Sequence, residues 1–179
     1  MMSVMDMFSL KGKNALVIGG SKGLGEGIAR GLVEAGAVAV VSSRSQADCD
    51  KAAAGITETT GGQCYGISAD ISTKEGVDAL VNKVIEKLGH IDILVNSAGV
   101  NIRKPAVEYT VEDWDKVQDV QLKGVFLACQ AVGKHMIEKG IKGKIINISS
   151  INARVVARPN IVSYVAAKGA VMQMTKALA

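Results

Sequence analysis

The stretch from Asn14 to Gly25 reads NALVIGGSKGLG, a short apolar run that passes directly into a glycine-rich turn. Apolar runs of this length that end at glycines are typical of buried strands. Beyond the turn, Leu24, Ile28 and Leu32 recur at helical spacing on one face, and Gly36 is placed to end that helix. The stretch therefore predicts a strand, a tight turn and a helix, in that order.

The same alternation of strand and helix patterns continues along the chain. Further strands are predicted at 38–41, 63–68, 91–95 and 144–148, and further helices at 46–59, 77–88, 111–139 and from Ser163 onward. The predicted strands lack polar alternation, which is typical of strands that are covered on both faces. We therefore expect an α/β fold, a Rossmann-type doubly wound parallel sheet, in a single domain over residues 1–179.

Composition and charge exclude several classes of function. The chain has 179 residues, is 48% hydrophobic and carries a formal net charge of +4. It has no dense basic tract and no apolar run of membrane-spanning length, so neither nucleic acid nor membrane is expected as a partner. The three cysteines form no C-x-x-C pair, so no metal site and no disulfide framework are expected. Met1–Phe8 lacks the pattern of a signal peptide, so we expect a cytoplasmic location.

Phosphate binding is the functional interpretation of the glycine-rich turn. Glycines let a backbone approach a pyrophosphate, and the free N–H groups at a helix start favour its negative charge. The spacing matches neither G-x-G-x-x-G nor a P-loop, so a purely conformational role for the glycines stays open. The candidate dinucleotide contacts in the turn are Gly19, Ser21, Lys22, Gly23, Leu24 and Gly25.

The end of the second strand bears on the choice of cofactor. An acidic residue about 20 positions beyond the glycine turn would bind a ribose 2′-hydroxyl and indicate NAD. That place holds Ser43, followed by Arg44. Serine does not repel a 2′-phosphate, arginine can bind one through two hydrogen bonds, and Lys22 can add a second positive charge. We expect NADP(H) to be preferred, with NAD possible; the alternative is that Arg44 and Lys22 are solvated surface residues.

An acid/base pair is predicted on the last helix. Tyr164 and Lys168 are four positions apart, so their side chains share a helical face. A neighbouring ammonium stabilises a phenolate, which suits tyrosine to proton transfer near neutral pH. Ser149 and Ser150 follow the predicted strand 144–148, at the strand end where ligands bind in such sheets.

Four motifs occur in order along the chain: Gly19-x-x-x-Gly23-x-Gly25, Asn96-Ser97-Ala98-Gly99, Ser149-Ser150 and Tyr164-x-x-x-Lys168. Together they resemble the short-chain dehydrogenase/reductase family across essentially the whole chain. The resemblance implies hydride transfer between a nicotinamide and a carbonyl or alcohol carbon. It implies that Tyr164 is the general acid/base, that Lys168 holds the nicotinamide ribose, and that a serine hydrogen-bonds the reacting oxygen. It also implies cofactor contacts at Asp70, Ile71, Asn96, Ala98 and Gly99.

The chain departs from this family pattern at Ile18, where a threonine is usual, at Ser97, at Gln121 and in the serine spacing. Tyr164 follows Ser150 at a spacing one residue longer than usual, and we assign Ser150 as the catalytic serine. Gln121 stands where the family has a catalytic asparagine. Either its longer amide substitutes with shifted geometry, or it impairs turnover. An NADP-linked oxidoreductase and a catalytically impaired nucleotide-binding fragment are therefore both open.

The resemblance also bears on substrate and extent. The segment Asn101-Ile-Arg103-Lys104-Pro105 resembles gluconate 5-dehydrogenase-like members, which interconvert sugar acids and keto-acids. Arg154 and Arg158 precede Tyr164 and suit a carboxylate substrate, with a solvated basic rim as the alternative. The family fold continues past Ala179, so we expect a C-terminally incomplete member that lacks the last two strands. The full-length family implies a homo-oligomer.

Overall fold

The computed structural model describes residues 4–179, so the part of the Met1–Phe8 prediction that concerns residues 1–3 lies outside the described residues. Five parallel strands form one sheet in the order β3-β2-β1-β4-β5. The strands are β1 (Asn14–Ile18), β2 (Val38–Ser43), β3 (Cys64–Ser68), β4 (Ile93–Asn96) and β5 (Lys144–Asn147). The helices are α1 (Gly23–Glu34), α2 (Gln46–Thr60), α3 (Lys74–Leu88), α4 (Val111–Gln118), α5 (Gly124–Glu138) and α6 (Val162–Leu178).

The predicted parallel sheet with helices on both faces is confirmed. On β1, Leu16 and Ile18 belong to the apolar core shared with α3 and α5, whereas Ala15 and Val17 belong to the core shared with α1 and α2. All four side chains are essentially inaccessible to solvent. Full burial of one aliphatic side chain stabilises a fold by about 1.5–3 kcal/mol. The alternation along β1 therefore fixes which face each helix covers.

The strand order places a crevice between β1 and β4. The chain moves outward from β1 to β2 and β3, then crosses back to β4 on the other side of β1. The loops that follow β1 and β4 consequently leave the sheet in opposite directions, and ligands bind in the crevice that such a reversal opens. The backbone N–H of Ser97 donates to the carbonyl of Ile18 at 2.8 Å, which joins the two strand ends at this point.

The buried face of α1 differs from the predicted one. Leu24 is 65% exposed, and the fully buried positions of the helix are Gly25, Ala29 and Val33. Ile28 and Leu32 only flank that core. Small residues let α1 approach the sheet closely, so the contact face lies one residue away from the line of large apolar side chains.

The predicted helix over 111–139 is not continuous. The segment Asp119–Lys123 forms a π-turn between α4 and α5. Single π-turns inside helices often occur at functional sites. The turn carries Gln121, whose side chain is completely buried, and it aims that amide at the loop that follows β4.

Candidate functional site

Steric crowding at the glycine-rich turn requires glycine at two positions. Gly19 has φ +80°, and a Cβ there would overlap the backbone of Ala98. A Cβ on Gly25 would overlap the carbonyl of Gly19. The turn therefore packs directly against the loop after β4, which brings two predicted cofactor segments together. The N–H groups of Gly19 and Gly20 donate to the carbonyl of Ser42, at 2.7 and 3.2 Å, so anion binding would fall to the N–H groups that open α1.

A cavity of about 400 Å³ lies at the carboxyl ends of β1, β2 and β4. It gathers nine of the predicted cofactor residues: Gly19, Ser21, Lys22, Ser43, Arg44, Asp70, Ile71, Ala98 and Gly99. Gly23, Leu24 and Gly25 do not line it; they form the first turn of α1 behind it. The glycine turn and the Asn96–Gly99 motif thus supply adjacent parts of the cavity wall, through Gly19, Ser21 and Lys22 and through Ala98 and Gly99.

Polar groups surround the end of β2. The Ser43 hydroxyl donates to the carbonyl of Ser45 at 3.4 Å, and the Ser43 backbone N–H donates to Cys49 Sγ at 3.1 Å. Arg44 is exposed at the cavity rim, and within residues 4–179 no hydrogen bond or ion pair holds its guanidinium. Lys22 differs, because its Nζ lies 2.8 Å from Oδ2 of Asp48.

Asp48 is a cavity residue that the sequence analysis missed. It lies in the first turn of α2, where its backbone N–H donates to Ser45 Oγ at 3.2 Å. The hydrogen bond from Lys22 is the main cause that holds the pKa of Asp48 below its ordinary value. A carboxylate that stays ionised therefore faces the position predicted for a 2′-phosphate. No local pattern reveals the pair, because its members are far apart in sequence and on different elements.

Asp70 follows β3, and the end of β3 pairs with the end of β2 that precedes Arg44. Its Oδ1 accepts a hydrogen bond from the Ser72 backbone N–H at 2.9 Å. Hydrogen bonds from Ser72 are the main cause of a lowered pKa for Asp70, and the charge of Arg44 lowers the pKa further. Asp70 is thus an ionised acceptor at the edge of the cavity. Ile71, which is buried, packs on the core of α3 and α5.

The side chain of Asn96 lies away from the cavity. Its Nδ2 donates to Asn147 Oδ1 at 2.8 Å and to Cys129 Sγ at 3.4 Å. Asn147 Nδ2 donates in turn to Thr175 Oγ1 on α6 at 3.0 Å. This buried network joins β4, β5, α5 and α6 at the carboxyl edge of the sheet, so the amide of Asn96 anchors the sheet beneath the site.

Gln121 supports the floor of the cavity from below. Its Nε2 donates to the carbonyl of Val100 at 2.7 Å, and a Cβ on Gly99 would lie 3.4 Å from Oε1. Oε1 is buried, and within the described part of the chain no donor reaches it. The amide therefore holds the loop after β4 and leaves one acceptor in the site without a partner.

The predicted acid/base pair lies on one face of α6. Lys168 Nζ is 5.8 Å from the centre of the Tyr164 ring and donates to the carbonyl of Ile148 at 2.8 Å. Lys168 is only 5% exposed, and this burial lowers the pKa of its ammonium to about 8. A buried lysine is thereby placed between the tyrosine and the end of β5.

The two candidate serines make different contacts. Ser149 Oγ donates to the backbone carbonyl of Lys168 at 2.9 Å and so ties the end of β5 to α6. Ser150 Oγ accepts from the backbone N–H of Asn152 at 3.1 Å and from its Nδ2 at 3.3 Å, at the start of the short 3₁₀ turn Ile151–Ala153. Only Ser150 uses its oxygen as an acceptor in these contacts, which leaves its hydroxyl proton for another group.

Gln118 positions the first turn of α6, and sequence reasoning did not find it. Its Nε2 donates to both the carbonyl and Oγ of Ser163, each at 2.9 Å. Ser163 is completely buried and directly precedes Tyr164. Since Gln118 lies on α4, this contact fixes the tyrosine relative to the helix that leads into the π-turn.

The cations predicted to suit a carboxylate substrate are only partly free of protein partners. Lys104 forms an ion pair with Asp113, and its backbone N–H donates to the carbonyl of Asn160 at 3.0 Å. Arg103, Arg154 and Arg158 are exposed. Three of these cations are therefore exposed guanidinium groups, the fourth is a lysine already neutralised by a carboxylate, and none of the four lines the cavity.

Among residues 4–179, no helix combines the length and apolarity needed to cross a membrane. Over the same residues, His, Cys, Asp and Glu side chains form no cluster suited to a metal ion.

Comparisons with known proteins relate the chain to one family. The family model for short chain dehydrogenase matches residues 13–179. Gluconate 5-dehydrogenase from Gluconobacter oxydans is 40% identical over 178 residues, which span 99% of this chain and 68% of that protein. The 5-keto-D-gluconate 5-reductase of Escherichia coli K12 is 35% identical over 173 residues, spanning 97% of this chain and 67% of that protein.

Solved structures give the same result. A gluconate 5-dehydrogenase from Burkholderia cenocepacia, crystallised in complex with NADP and tartrate, superposes with a TM-score of 0.90 at 39% identity and covers 98% of this chain. A short-chain type dehydrogenase/reductase from Mycobacterium marinum superposes with a TM-score of 0.95 at 34% identity and covers 99% of this chain. The matched regions are 68% and 72% of those two structures, so the chain spans about two thirds of its relatives.

Proposed function

This chain belongs to the short-chain dehydrogenase/reductase family of NAD(P)-dependent oxidoreductases, and on that premise we propose that it binds NADP(H) and interconverts a keto-acid and a hydroxy-acid of the sugar acid class. The observation that carries the proposal is the arrangement of the cavity and α6. A cavity with two cations at its rim lies at the carboxyl edge of the sheet. A tyrosine and a buried lysine share one face of α6; they do not line that cavity, and the lysine contacts the same edge of the sheet at the carbonyl of Ile148.

The residues of the cavity fit an adenine dinucleotide. Gly19 and Gly25 are positions where a side chain would collide with backbone, so the turn leaves room beside the start of α1 for a phosphate. Ser43 is uncharged and Arg44 is exposed at the rim, which favours a 2′-phosphate over a bare hydroxyl. Asp70 presents an ionised acceptor at the end of the neighbouring strand β3.

The proposed chemistry divides among three side chains. The nicotinamide, when bound, supplies or accepts the hydride. In the reductive direction Tyr164 gives its hydroxyl proton to the carbonyl oxygen, and in the oxidative direction it takes that proton back. Ser150 donates its hydroxyl hydrogen bond to the same oxygen. Lys168 holds the nicotinamide ribose, and its positive charge favours the phenolate left on Tyr164.

The substrate class follows from similarity and charge together. The two curated relatives described above act on gluconate or keto-gluconate according to their names. Arg103, Arg154 and Arg158 supply exposed positive charge near the segments that flank the site. Because an arginine can bind a carboxylate through two parallel hydrogen bonds, these residues suit an acidic sugar better than a neutral ketone.

Nucleotide binding without turnover is the alternative function, and Gln121 favours it. Its Nε2 is already committed to the carbonyl of Val100. If the family's asparagine role requires that same amide, the chain would bind the cofactor and transfer hydride slowly or not at all.

The test is NADPH oxidation by the purified chain with 5-keto-D-gluconate and with neutral ketones of similar size. We expect oxidation with the keto-acid at the higher rate. Tyr164→Phe is expected to lower the rate by at least about 100-fold, since general acid catalysis contributes that much, while NADPH affinity stays unchanged. Tyr65→Phe is the matched control, because Tyr65 lies on β3 against Lys87. Faster reduction of neutral ketones would contradict the substrate class, and NADPH binding without any oxidation would favour the alternative.

A further inference from the structure

The position predicted for the cofactor 2′-phosphate contains one negative charge as well as two positive ones. We call it the ribose corner and define it as Lys22, Ser43, Arg44, Ser45 and Asp48, all of which line the cavity. Only Asp48 among them is acidic. Its carboxylate is the partner of Lys22, with 2.8 Å between Nζ and Oδ2.

The backbone holds Asp48 in this position. The Asp48 backbone N–H donates to Ser45 Oγ at 3.2 Å, in the first turn of α2. That hydrogen bond caps the helix and fixes where the aspartate side chain leaves it. The Asp48 side chain is 39% exposed and forms part of the cavity wall.

The two cations of the ribose corner are not equivalent. Among the described residues, no carboxylate is paired with Arg44, whereas Lys22 is neutralised by Asp48. A 2′-phosphate can bind Arg44 directly. The phosphate can form an ion pair with Lys22 only if the lysine leaves Asp48. The phosphate then also lies close to the negative charge of the Asp48 carboxylate. NAD, which has a neutral 2′-hydroxyl, meets no such competition.

We propose that Asp48 is a specificity-determining residue that limits the preference of this site for NADP over NAD, because its carboxylate competes with the 2′-phosphate for Lys22. This inference rests on the proposed function, since it presumes that the cavity binds a dinucleotide. The inference assigns opposite effects to one basic and one acidic residue of the ribose corner. Arg44 raises the selectivity for NADP over NAD, and Asp48 lowers it.

The experiment measures dissociation constants for NADP⁺ and NAD⁺ by titration calorimetry on the wild-type chain and on Asp48→Asn. The expected result is an NADP⁺ affinity roughly tenfold higher in the variant, the order of magnitude of one ammonium–phosphate pair that the freed Lys22 gains in surroundings close to bulk water. The NAD⁺ affinity stays within about twofold on the same argument, since its 2′-hydroxyl is neutral. Asp48→Ser, which keeps a polar residue in the first helical turn, must give the same change.

Asp50→Asn is the matched control. Asp50 lies on the same helix, does not line the cavity, and accepts a hydrogen bond from Gln46 Nε2 at 2.7 Å. Its substitution removes the same charge and is expected to leave the NADP⁺ to NAD⁺ affinity ratio unchanged. An equal gain in Asp50→Asn would show a general effect of net charge and would overturn the role of Asp48.

The Lys22→Gln background tests the competition itself. There, Asp48→Asn is expected to lose most of its effect, because no lysine remains to be released. An undiminished gain in that background, or an unchanged affinity ratio in the single variant, would overturn the inference while leaving the proposed function intact. If the wild-type chain binds neither dinucleotide, the proposed function fails and the inference fails with it.

Discussion

At the scale of single residues, the site depends on a lysine whose environment differs from that of every exposed lysine in the chain. Among residues 4–179, no carboxylate pairs with Lys168; its Nζ donates to a backbone carbonyl, and burial lowers its pKa to about 8. The ammonium is therefore present below pH 8 and is lost as the pH rises through that value. The positive charge with which Lys168 would hold the cofactor is therefore lost within a pH range in which binding is easily measured.

We predict that NADPH affinity falls as the pH rises from 7 to 10, with a midpoint near 8, because the neutral amine of Lys168 binds less strongly than its ammonium. The expected loss is roughly fivefold, the difference between a charged and a neutral hydrogen bond. Binding titrations across this pH range provide the measurement. Tyr164→Phe should keep the transition, which excludes the phenol as its origin.

Two lysine variants test whether the pH transition arises from Lys168. Lys176→Met, at an exposed position of the same helix, should keep the transition, and Lys168→Met should abolish it. An NADPH affinity that is constant from pH 7 to 10 would refute the assignment, as would a transition that survives in Lys168→Met.

At the scale of elements, the π-turn and the start of α5 determine how the sheet meets the site. A Cβ on Gly124 would lie 2.5 Å from the carbonyl oxygen of Ile71 and 3.1 Å from that of Asp119. Gly124 therefore lets α5 contact the loop after β3 at the point where the chain returns to helical geometry. The same close approach keeps Gln121 beneath Val100.

We predict that Gly124→Ala destabilises the fold by about 1–3 kcal/mol, since the new methyl group must displace backbone. Gly133→Ala, on the same helix, is the control. Its Cβ would meet only the Cδ1 atom of Ile145, at 4.0 Å, and alanine is the better helix former by about 1 kcal/mol. Urea denaturation of the two variants should therefore give changes of opposite sign. Equal stability of the two variants would mean that the contact between Gly124 and Ile71 does not constrain α5.

At the scale of the whole molecule, the parallel sheet is the part of the structure that sequence predicts best. Strand β1 has the predicted bounds Asn14–Ile18, because a buried parallel strand is a continuous apolar run whose ends are marked by glycine and polar residues. The helices 46–59 and 77–88 were likewise predicted within a few residues of α2 and α3. These patterns involve residues that are close together in the chain, so one sequence is enough to predict the strands and helices from them.

What the sequence did not predict depends on contacts between distant segments. The π-turn adds about one residue to one helical turn, a change too small to disturb the apolar periodicity of 111–139. The exposure of Leu24 reflects how closely small residues let α1 approach the sheet. Asp48 meets Lys22, and Gln118 meets Ser163, only because the fold brings separate elements together.

The roles assigned to Ser150, Tyr164, Lys168 and Gln121 remain predictions, and so does the preference for NADP. The geometry adds detail to the four residues: a serine oxygen that only accepts, a buried lysine beside a tyrosine, and an amide that supports the loop after β4. Binding can be measured apart from turnover, so the nucleotide site can be tested before any substrate is identified.

The most direct test of the account is a thermal melt of the purified 179-residue chain, alone and with NADPH or NADH at equal concentration. A ligand at a hundred times its dissociation constant stabilises a folded protein by about 2.7 kcal/mol, which for a chain of this size raises Tm by about 5 to 10 °C. We predict one cooperative transition and a larger rise in Tm with NADPH than with NADH. An equal or larger rise with NADH would contradict the role of Arg44, and the absence of any rise with either dinucleotide would contradict the proposed nucleotide site.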